Sequence, residues 1–461
     1  MHPAPAPPPL THDTPSTTGY ARRLGLFSAT MMVVGGIIGS GIFLNPAIVA
    51  QRVGSARLVM VAWGLGAVIA LLGAFIFAEL GARRPAAGGG YAYLRDAFGP
   101  LPAFLYGWAL LGAIASGAIA AVAVTFAGYA APLLGIPDAA RIPLAVGAIA
   151  LLTLVNVVGV APGAWTQNVF TILKLAAIAA VVVAGVGTQA PTHAGEVAQA
   201  GAQGVAVAIA LGTALVPVLF SYGGWQQTNF VAEELRDPER TLPKALVLGV
   251  LIVAAVYLLA NVTYLRTLGV AGLAESKAPA ADAMSARFGP VGRTLIAAGI
   301  AASTFGFLNL VILVTPRVYQ AMAREGLFFA ALARLHPRFR TPALAIVLQG
   351  AWAIVLVLSG SYGALLDWVT FADWIFFGAT AATLVVFRRR DADARQHRGY
   401  RAPLYPLTVW LFVLAAAYVV LGSIVANVGN AVRGTLLLAA GVPAYLWWRR
   451  GLRTGDRPGE R

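Results

Sequence analysis

The stretch Gly35-Gly36-Ile37-Ile38-Gly39-Ser40-Gly41-Ile42-Phe43-Leu44-Asn45-Pro46 lies inside the first long apolar segment of the chain. This segment runs from Leu24 to Ala50 without a charged side chain, and it is long enough to cross a bilayer, which takes about 20 helical residues. Four glycines and a serine interrupt its centre, where glycine lowers helix stability. We therefore expect a membrane-spanning helix that breaks near Ser40.

A helix break at mid-membrane has a chemical consequence. It frees backbone N–H and C=O groups, which cost several kcal/mol each unless they line a cavity or bind something. The half-helix that resumes after the break has a positive dipole end and unpaired amides, and both attract anions. We therefore expect Ser40 and Gly41 to bind a carboxylate.

The composition sets the protein class. The chain has 461 residues, of which 59% are hydrophobic and 11% charged, and its mean hydropathy is +0.77. These values exclude an ordinary soluble domain and indicate a polytopic protein of the lipid bilayer. The net charge of +15 does not favour nucleic-acid binding, because the basic residues lie at the ends of apolar segments rather than in one patch.

Cysteine and histidine usage limits the possible chemistry. The chain has no cysteine, which excludes disulfides. Its five histidines all fall in predicted tails or loops, so we expect no metal site within the membrane and no cofactor. An intramembrane enzyme is not expected either, because no nucleophile, base or pair of mid-span acids stands out.

About twelve apolar spans follow a Pro-rich tail over residues 1–20, which we expect to be disordered and not a cleaved signal peptide. Most of the 33 Lys and Arg residues fall in the tails and even-numbered loops, which predicts that both termini are cytoplasmic. The predicted spans cover about 24–49, 58–80, 101–131, 142–160, 166–187, 205–232, 243–266, 292–322, 342–359, 364–387, 404–426 and 432–448.

A second interruption falls in the sixth span, where Phe220-Ser221-Tyr222-Gly223-Gly224-Trp225 separates two apolar halves. A lone glycine pair usually means close helix packing, but interrupted helices at corresponding positions of two halves indicate the binding site of an inverted-repeat transporter. The freed carbonyls of Phe220 and Gly223 would accept from an ammonium group. The two breaks together therefore suit a zwitterion.

Several motifs resemble the amino acid/polyamine/organocation superfamily, and in particular its L-type amino acid transporter branch. The resemblance covers nearly the whole chain after residue 20. The matching stretches are Ile37-Ile38-Gly39-Ser40-Gly41-Ile42-Phe43, Phe220-Ser221-Tyr222-Gly223-Gly224-Trp225, Asn229-Phe230-Val231-Ala232-Glu233-Glu234-Leu235, Ala323-Arg324-Glu325-Gly326-Leu327 and Phe371-Ala372-Asp373-Trp374-Ile375-Phe376-Phe377-Gly378, with Glu79-Leu80, Pro85, Gly88-Gly89-Gly90-Tyr91 and Gly99-Pro100 matching the wider superfamily.

The resemblance implies an all-α fold with a five-plus-five inverted repeat and discontinuous helices one and six. The first repeat would cover 21–190 and the second 200–390, followed by two helices over 400–450 and a cytoplasmic tail over 451–461. It also implies alternating access. Ser40 and Gly41 would hold the substrate carboxylate, the carbonyls of Ile37, Phe220 and Gly223 would take the amine, and the Phe220 ring would be a gate. Gly39 and Ser221 complete the set of predicted substrate-binding residues.

Lys174 lies near the middle of the fifth span, where an unpaired charge is costly. Gln167, Thr171 and Lys174 share one helical face that we expect to look into the bundle, although a lysine that extends to the interface is the alternative. In the family, the matching lysine sits where sodium-coupled relatives bind Na+. The resemblance thus implies sodium independence, with Ser303 or Thr304 as neighbours in the eighth span.

Four acidic residues each have two interpretations. Glu79, Glu233 and Glu234 lie at cytoplasmic span ends, where capping or loop salt bridges are the main interpretation and gating the other. Asp373 lies inside the tenth span, where it would pair with a nearby arginine or serve a proton path.

The substrate is expected to be a neutral L-amino acid, because no acidic residue lies mid-span in spans one, three, six or eight to pair with a cationic side chain. Sodium-independent exchange or facilitated uptake is the main interpretation. Proton-coupled symport, exchange of cationic amino acids or polyamines, and a channel remain as alternatives.

The absence of cysteine also bears on partners. Animal L-type transporters attach to a heavy chain through a cysteine that this chain lacks, so no disulfide-linked heavy chain is expected. The sequence does not decide the oligomeric state. A multi-pass permease of the bacterial cytoplasmic membrane is the natural interpretation.

Overall fold

The computed structural model describes residues 19–187, 205–360, 362–391, 399–426 and 428–453. Nearly all of the predicted tail over 1–20 therefore lies outside the described residues, as do most of the tail over 451–461 and the loop that separates the predicted repeats. Within the described ranges the chain is helical, and its β-type pairing is a single bridge between Leu24 and Leu235.

Sixteen α-helices follow one another in the described chain, together with a π-helical segment at Leu110–Ile114 and 3-10 helices at Asp138–Ala140, Trp225–Glu234 and Ala330–Ala333. The α-helices are α1 (Leu26–Ile37), α2 (Gly41–Val53), α3 (Ala56–Arg83), α4 (Gly90–Phe98), α5 (Pro100–Ala109), α6 (Ala115–Leu133), α7 (Arg141–Val158), α8 (Val160–Ala184), α9 (Val205–Ser221), α10 (Pro238–Glu275), α11 (Pro279–Val314), α12 (Pro316–Arg324), α13 (Ala343–Ser359), α14 (Tyr362–Arg390), α15 (Leu407–Ala426) and α16 (Val428–Arg453).

The all-α polytopic architecture predicted from the sequence is confirmed. Among the described residues, nine helices are long and apolar enough to cross a membrane, and the bent pair α1 and α2 raises the number to ten. The shorter apolar helix α13 and the helix α16 coincide with the predicted ninth and twelfth spans. Every predicted span is thus occupied by helix.

Three helical features were not predicted from the sequence. The Gly-rich loop after α3 leads directly into the short helix α4, which buries Tyr91 and Tyr93. The third span contains a π-helical segment at Leu110–Ile114, a form often found at functional sites. The loop predicted after the seventh span is largely helical, because α10 continues through a bend at Gly269.

The packing of the bundle places the helix breaks at its centre. Helix α1 packs against α8 and α10, whereas α2 packs against α9 and α10. Helix α11 lies against both α8 and α6. Residues from α1, α2, α9, α6, α11 and α14 line one interior space.

Candidate functional site

Both predicted interruptions are present in the structure. Helix α1 ends at Ile37 and α2 begins at Gly41, with a bend of 41° between them. Helix α9 ends at Ser221, and the 3-10 helix that continues its span begins at Trp225. Each break thus exposes the backbone of about three residues within the bundle.

The two breaks touch backbone to backbone. A Cβ atom on Gly36 would lie 2.8 Å from the carbonyl oxygen of Gly224, and a Cβ atom on Gly224 would lie 2.1 Å from the carbonyl oxygen of Gly36. Gly224 also has a φ of 110°, which a residue with a side chain rarely adopts. Glycine at these two positions is what allows the breaks to approach so closely.

The first break presents hydrogen-bond donors. Within the described chain, the backbone N–H groups of Ser40, Gly41 and Ile42 have no acceptor, and the first bonded amide is that of Phe43, which donates to the Ser40 carbonyl at 3.1 Å. These amides form the N-terminal end of α2, where the helix dipole is positive. The arrangement is suited to a carboxylate.

The second break presents acceptors, but not all the predicted ones are equally available. The Phe220 carbonyl accepts from the Gly223 amide at 3.3 Å, which leaves one of its lone pairs. The Gly223 carbonyl accepts no hydrogen bond from the described residues, and neither does the Leu219 carbonyl. The Ile37 carbonyl already accepts from the Gly39 amide at 2.9 Å and from the Tyr257 hydroxyl at 3.1 Å.

Tyr257 of α10 is a site residue that the sequence analysis missed. It is fully buried, and its hydroxyl lies 3.1 Å from the Ile37 carbonyl and 3.2 Å from the Ser221 carbonyl. The single hydroxyl proton is donated to one of the two oxygens at a time, so Tyr257 bridges the two breaks. The available signal was a polar aromatic residue in an otherwise apolar stretch of α10.

Lys174 of α8 contacts the backbone of the first break. Its side chain is fully buried, and Nζ donates to the carbonyls of Gly35 at 3.0 Å and Ile38 at 2.8 Å. The Ser303 hydroxyl lies 3.3 Å from the carbonyls of Ile38 and Gly39. The ammonium group therefore partners carbonyls that the break frees, and the alternative of a lysine extending to the membrane interface does not fit this burial.

Thr304 differs from its neighbour. It is buried, but its hydroxyl donates within its own helix, to the carbonyls of Ile300 at 2.8 Å and Ala301 at 2.9 Å. The structure thus brings the Ser303 side chain to the first break, whereas the Thr304 hydroxyl is hydrogen-bonded within α11.

The half-helices α2 and α9 are joined by a second residue that the sequence analysis missed. Asn45 of α2 donates through Nδ2 to the Ser221 hydroxyl at 2.8 Å and to the Pro217 carbonyl at 3.0 Å. A Cβ atom on Gly41 would lie 2.6 Å from the same hydroxyl. Helix α2 is therefore held directly against α9.

A cavity of about 140 Å³ lies at the breaks. Its wall includes Phe220, whose side chain is 46% exposed, and an aromatic group made of Tyr106, Phe230, Trp374 and Phe377. All seven residues predicted to bind substrate line it: Ile37, Gly39, Ser40, Gly41, Phe220, Ser221 and Gly223.

Asp373 also lines this cavity, from α14. In the described chain its carboxylate accepts no hydrogen bond and forms no ion pair, so the predicted pairing with a nearby arginine is not seen. The prediction of a neutral substrate depended on the acids of spans one, three, six and eight. The tenth span, which that argument did not include, contributes an acid to the same cavity, so the substrate class stays a prediction.

The other acidic residues lie away from the cavity in ion pairs. The Glu79 carboxylate accepts from Arg388 at 2.5 Å and from Arg83 at 2.8 Å, and Glu234 forms a buried pair with Arg317 at 2.7 Å. Glu233 accepts from the Ala87 amide at 3.0 Å. These contacts fit the salt-bridge interpretation. The pairs Glu79–Arg388 and Glu234–Arg317 also connect different helices.

The Glu234–Arg317 pair belongs to a larger contact, which we call the N-terminal latch: residues 19–24 with Glu234, Arg236 and Arg317. The amides of Arg23 and Leu24 both donate to the Glu234 carbonyl at 3.0 Å, and the Arg236 amide donates to the Leu24 carbonyl at 2.8 Å. The Tyr20 ring packs over the Arg317 guanidinium at 5.8 Å. Burial raises the pKa of the Tyr20 phenol, which therefore stays neutral.

No group of three or more His, Asp or Glu side chains that would hold a metal ion occurs among the described residues. The candidate site is accordingly built from backbone amides and carbonyls, aromatic rings and one carboxylate.

The sequence of this chain is similar to the sequences of transport proteins. A family model described as amino acid permease matches residues 24–446. The chain is 33% identical to b(0,+)-type amino acid transporter 1 of Mus musculus over 90% of this chain and 86% of that protein. It is 33% identical to the serine/threonine exchanger SteT of Bacillus subtilis over 93% of this chain and 97% of that protein. It is 32% identical to large neutral amino acids transporter small subunit 2 of Rattus norvegicus, over 93% and 81%.

Proposed function

Because this chain belongs to the amino acid permease family, we propose that it carries L-amino acids across the membrane by alternating access around the two helix breaks. It is a transporter and not an enzyme. The observation that carries the proposal is the pairing of free amides at one break with free carbonyls at the other, on the wall of a single cavity. This is the pattern that a zwitterion requires.

The substrate pose follows from the unpaired groups. The α-carboxylate binds the amides of Ser40, Gly41 and Ile42, where the dipole of α2 adds to the hydrogen bonds. The α-ammonium donates to the carbonyls of Gly223 and Phe220. Since the Ile37 carbonyl already has two donors, it takes the ammonium only after Tyr257 turns to Ser221.

Phe220 acts as the gate of the proposed cycle. Its ring is partly exposed and lines the cavity, so it is free to cover a bound amino acid. Covering the substrate buries the ring and favours a closed state over the state described here. Substrate binding thereby shifts the population toward the state in which the cavity opens to the other side of the membrane.

Sodium independence is supported by the position of Lys174. Its ammonium already donates to the Gly35 and Ile38 carbonyls, which would otherwise be free to bind a cation. Uptake should therefore be equal in sodium and choline media, and a sodium-dependent rate would contradict this part of the proposal.

The membrane and orientation follow from two arguments. The relative in Bacillus subtilis supports a bacterial plasma membrane for this multi-pass protein. The excess of Lys and Arg in the tails and even-numbered loops supports cytoplasmic termini. The N-terminal latch would then close the cytoplasmic side. Since the chain has no cysteine, a heavy chain cannot be attached through a disulfide.

The test is uptake of labelled amino acids by proteoliposomes that contain the purified protein. Saturable uptake that needs an amino acid inside and ignores a pH gradient indicates exchange. Uptake driven by the pH gradient indicates proton symport, the alternative that the unpaired Asp373 favours. Flux that neither saturates nor shows counterflow indicates a channel and contradicts the proposal.

A further inference from the structure

We propose that Asp373 binds the cationic side chain of a basic L-amino acid, so that the site prefers such a substrate to its neutral counterpart. The inference rests on the proposed transport function and adds the substrate class. It starts from the unpaired carboxylate in the cavity wall.

The position of Asp373 is unusual among the acidic residues inside the bundle. Glu79 and Glu234 are buried, and each has an arginine partner. Asp373 is half-buried and has no such partner in the described chain, and none of the residues that line the cavity is a lysine or an arginine. An ionised carboxylate in apolar surroundings costs several kcal/mol unless a counter-charge approaches it. Two partners from outside the protein can neutralise this carboxylate, a proton or a cationic group of the bound substrate, and the surroundings of the carboxylate favour the second.

The surroundings of the carboxylate suit an organic cation. Tyr106, Phe230, Trp374 and Phe377 line the same cavity, and the Tyr106 ring lies 6.5 Å from Phe230. Aromatic faces attract ammonium and guanidinium groups, more so where water is excluded. An acid among aromatic rings therefore favours a cation over a neutral chain, which would leave the carboxylate desolvated and unpaired.

The cavity also requires an amino acid rather than a simple amine. The free amides of Ser40 and Gly41 need a carboxylate, and the free carbonyls of the second break need an ammonium group. The cation at Asp373 is then a third group of the same molecule. Lysine and arginine have this combination.

A matched ligand pair tests the proposal. Lysine and norleucine differ only in the terminal ammonium, so their affinities for the purified protein in nanodiscs, measured by calorimetry, isolate the contribution of that group. We expect wild-type protein to bind lysine about tenfold or more tightly than norleucine. We expect Asp373→Asn to abolish this preference by weakening lysine alone, and Asp373→Glu to retain it.

Two controls accompany these variants. Asp138→Asn removes an exposed acid far from the cavity and should leave the lysine preference unchanged. Cadaverine, which is lysine without its carboxylate, should bind about tenfold or more weakly than lysine. Equal binding of cadaverine would overturn the inference in favour of a polyamine site.

Other outcomes also overturn the inference. Norleucine binding as tightly as lysine would do so, and so would an Asp373→Asn variant that weakens both ligands equally, which would assign the carboxylate to the α-ammonium. A variant that keeps the lysine preference but loses a response to the pH gradient would make Asp373 a proton acceptor. If norleucine is transported without any lysine preference, only this inference fails. If no amino acid binds or is transported, the proposed function itself fails.

Discussion

Lys174 is fully buried in the bundle, and no carboxylate among the described residues pairs with it. Its ammonium is satisfied by two backbone carbonyls that a continuous helix would have used itself. The residue is thus a local replacement for helical hydrogen bonds. Lys174 finds its partners only because the helix is broken, and the geometry of the break depends in turn on Lys174.

Lys174→Ala tests this relation. Without the ammonium, the Gly35 carbonyl is buried without a donor, at about 1–3 kcal/mol, and the Ile38 carbonyl keeps only the Ser303 hydroxyl. We expect initial uptake by proteoliposomes to fall about tenfold or more. Lys244→Ala, which removes an exposed lysine, is the control. Wild-type uptake by the Lys174 variant would contradict the assigned role.

The contact between Gly36 and Gly224 allows a stability prediction. Gly224→Ala places a methyl group against the Gly36 carbonyl at a positive φ, so the breaks must separate. We expect a loss of about 2 kcal/mol or more in the free energy of unfolding, seen as a lower Tm in a thermal-shift assay. Gly64→Ala, where a Cβ meets nothing within 4 Å, should keep the wild-type Tm. An unchanged Tm for Gly224→Ala would show that the breaks are not in contact.

Single residues also show where sequence reasoning ends. Ser40, Gly41 and Gly223 could be predicted because glycine inside an apolar span has few explanations. Tyr257 could not, because its role depends on which carbonyls α10 faces. The cavity position of Asp373 likewise depends on how α14 turns against α6, and no local pattern records that rotation.

The half-helices α2 and α9 behave as one element in this structure. Asn45 donates to both the Ser221 hydroxyl and the Pro217 carbonyl. Both hydrogen bonds of this joint are short and partly buried between the two helices. We infer that the two half-helices move together when the cavity opens or closes.

Asn45→Ala should loosen this pair. Loss of two hydrogen bonds, at about 1 kcal/mol each, should reduce uptake several-fold while the protein remains folded. Thr267→Val is the control, since that hydroxyl bonds within its own helix. Full uptake by Asn45→Ala would show that α2 and α9 do not need the joint.

Helices with long apolar stretches could be predicted from the sequence, whereas short or irregular helices could not. The long spans and both breaks follow from apolar runs and glycine. Helix α4 was missed because it packs Tyr91 and Tyr93 inward from a stretch rich in glycine and charge. The π-helical segment at Leu110–Ile114 was missed because its extra residue per turn has no counterpart in composition.

For the whole molecule, the N-terminal latch connects the chain's first described residues to the ends of the sixth and eighth spans. Backbone bonds from Arg23 and Leu24 and the buried Glu234–Arg317 pair hold it. We infer that both must separate when the bundle opens at the latch, which makes the latch a barrier in the proposed cycle.

Glu234→Gln should weaken the latch. The substitution keeps the size of the side chain but leaves the Arg317 guanidinium buried without its counter-charge, which costs about 3–5 kcal/mol. We expect amide hydrogen exchange over residues 19–25 to become about tenfold or more faster, as measured by mass spectrometry. Glu239→Gln, at an exposed acid, should exchange like wild type. Unchanged exchange in a folded Glu234→Gln protein would exclude this function of the pair.

The meeting of two interrupted main chains has a consequence for engineering. In the proposed pose the α-carboxylate and α-ammonium groups, which all amino acid substrates share, bind backbone amides and carbonyls that any substitution except proline retains, whereas the variable part faces side chains from α6, α11 and α14. Retargeting this carrier to a new cargo should therefore leave the glycine-rich segments untouched and change only the surrounding walls.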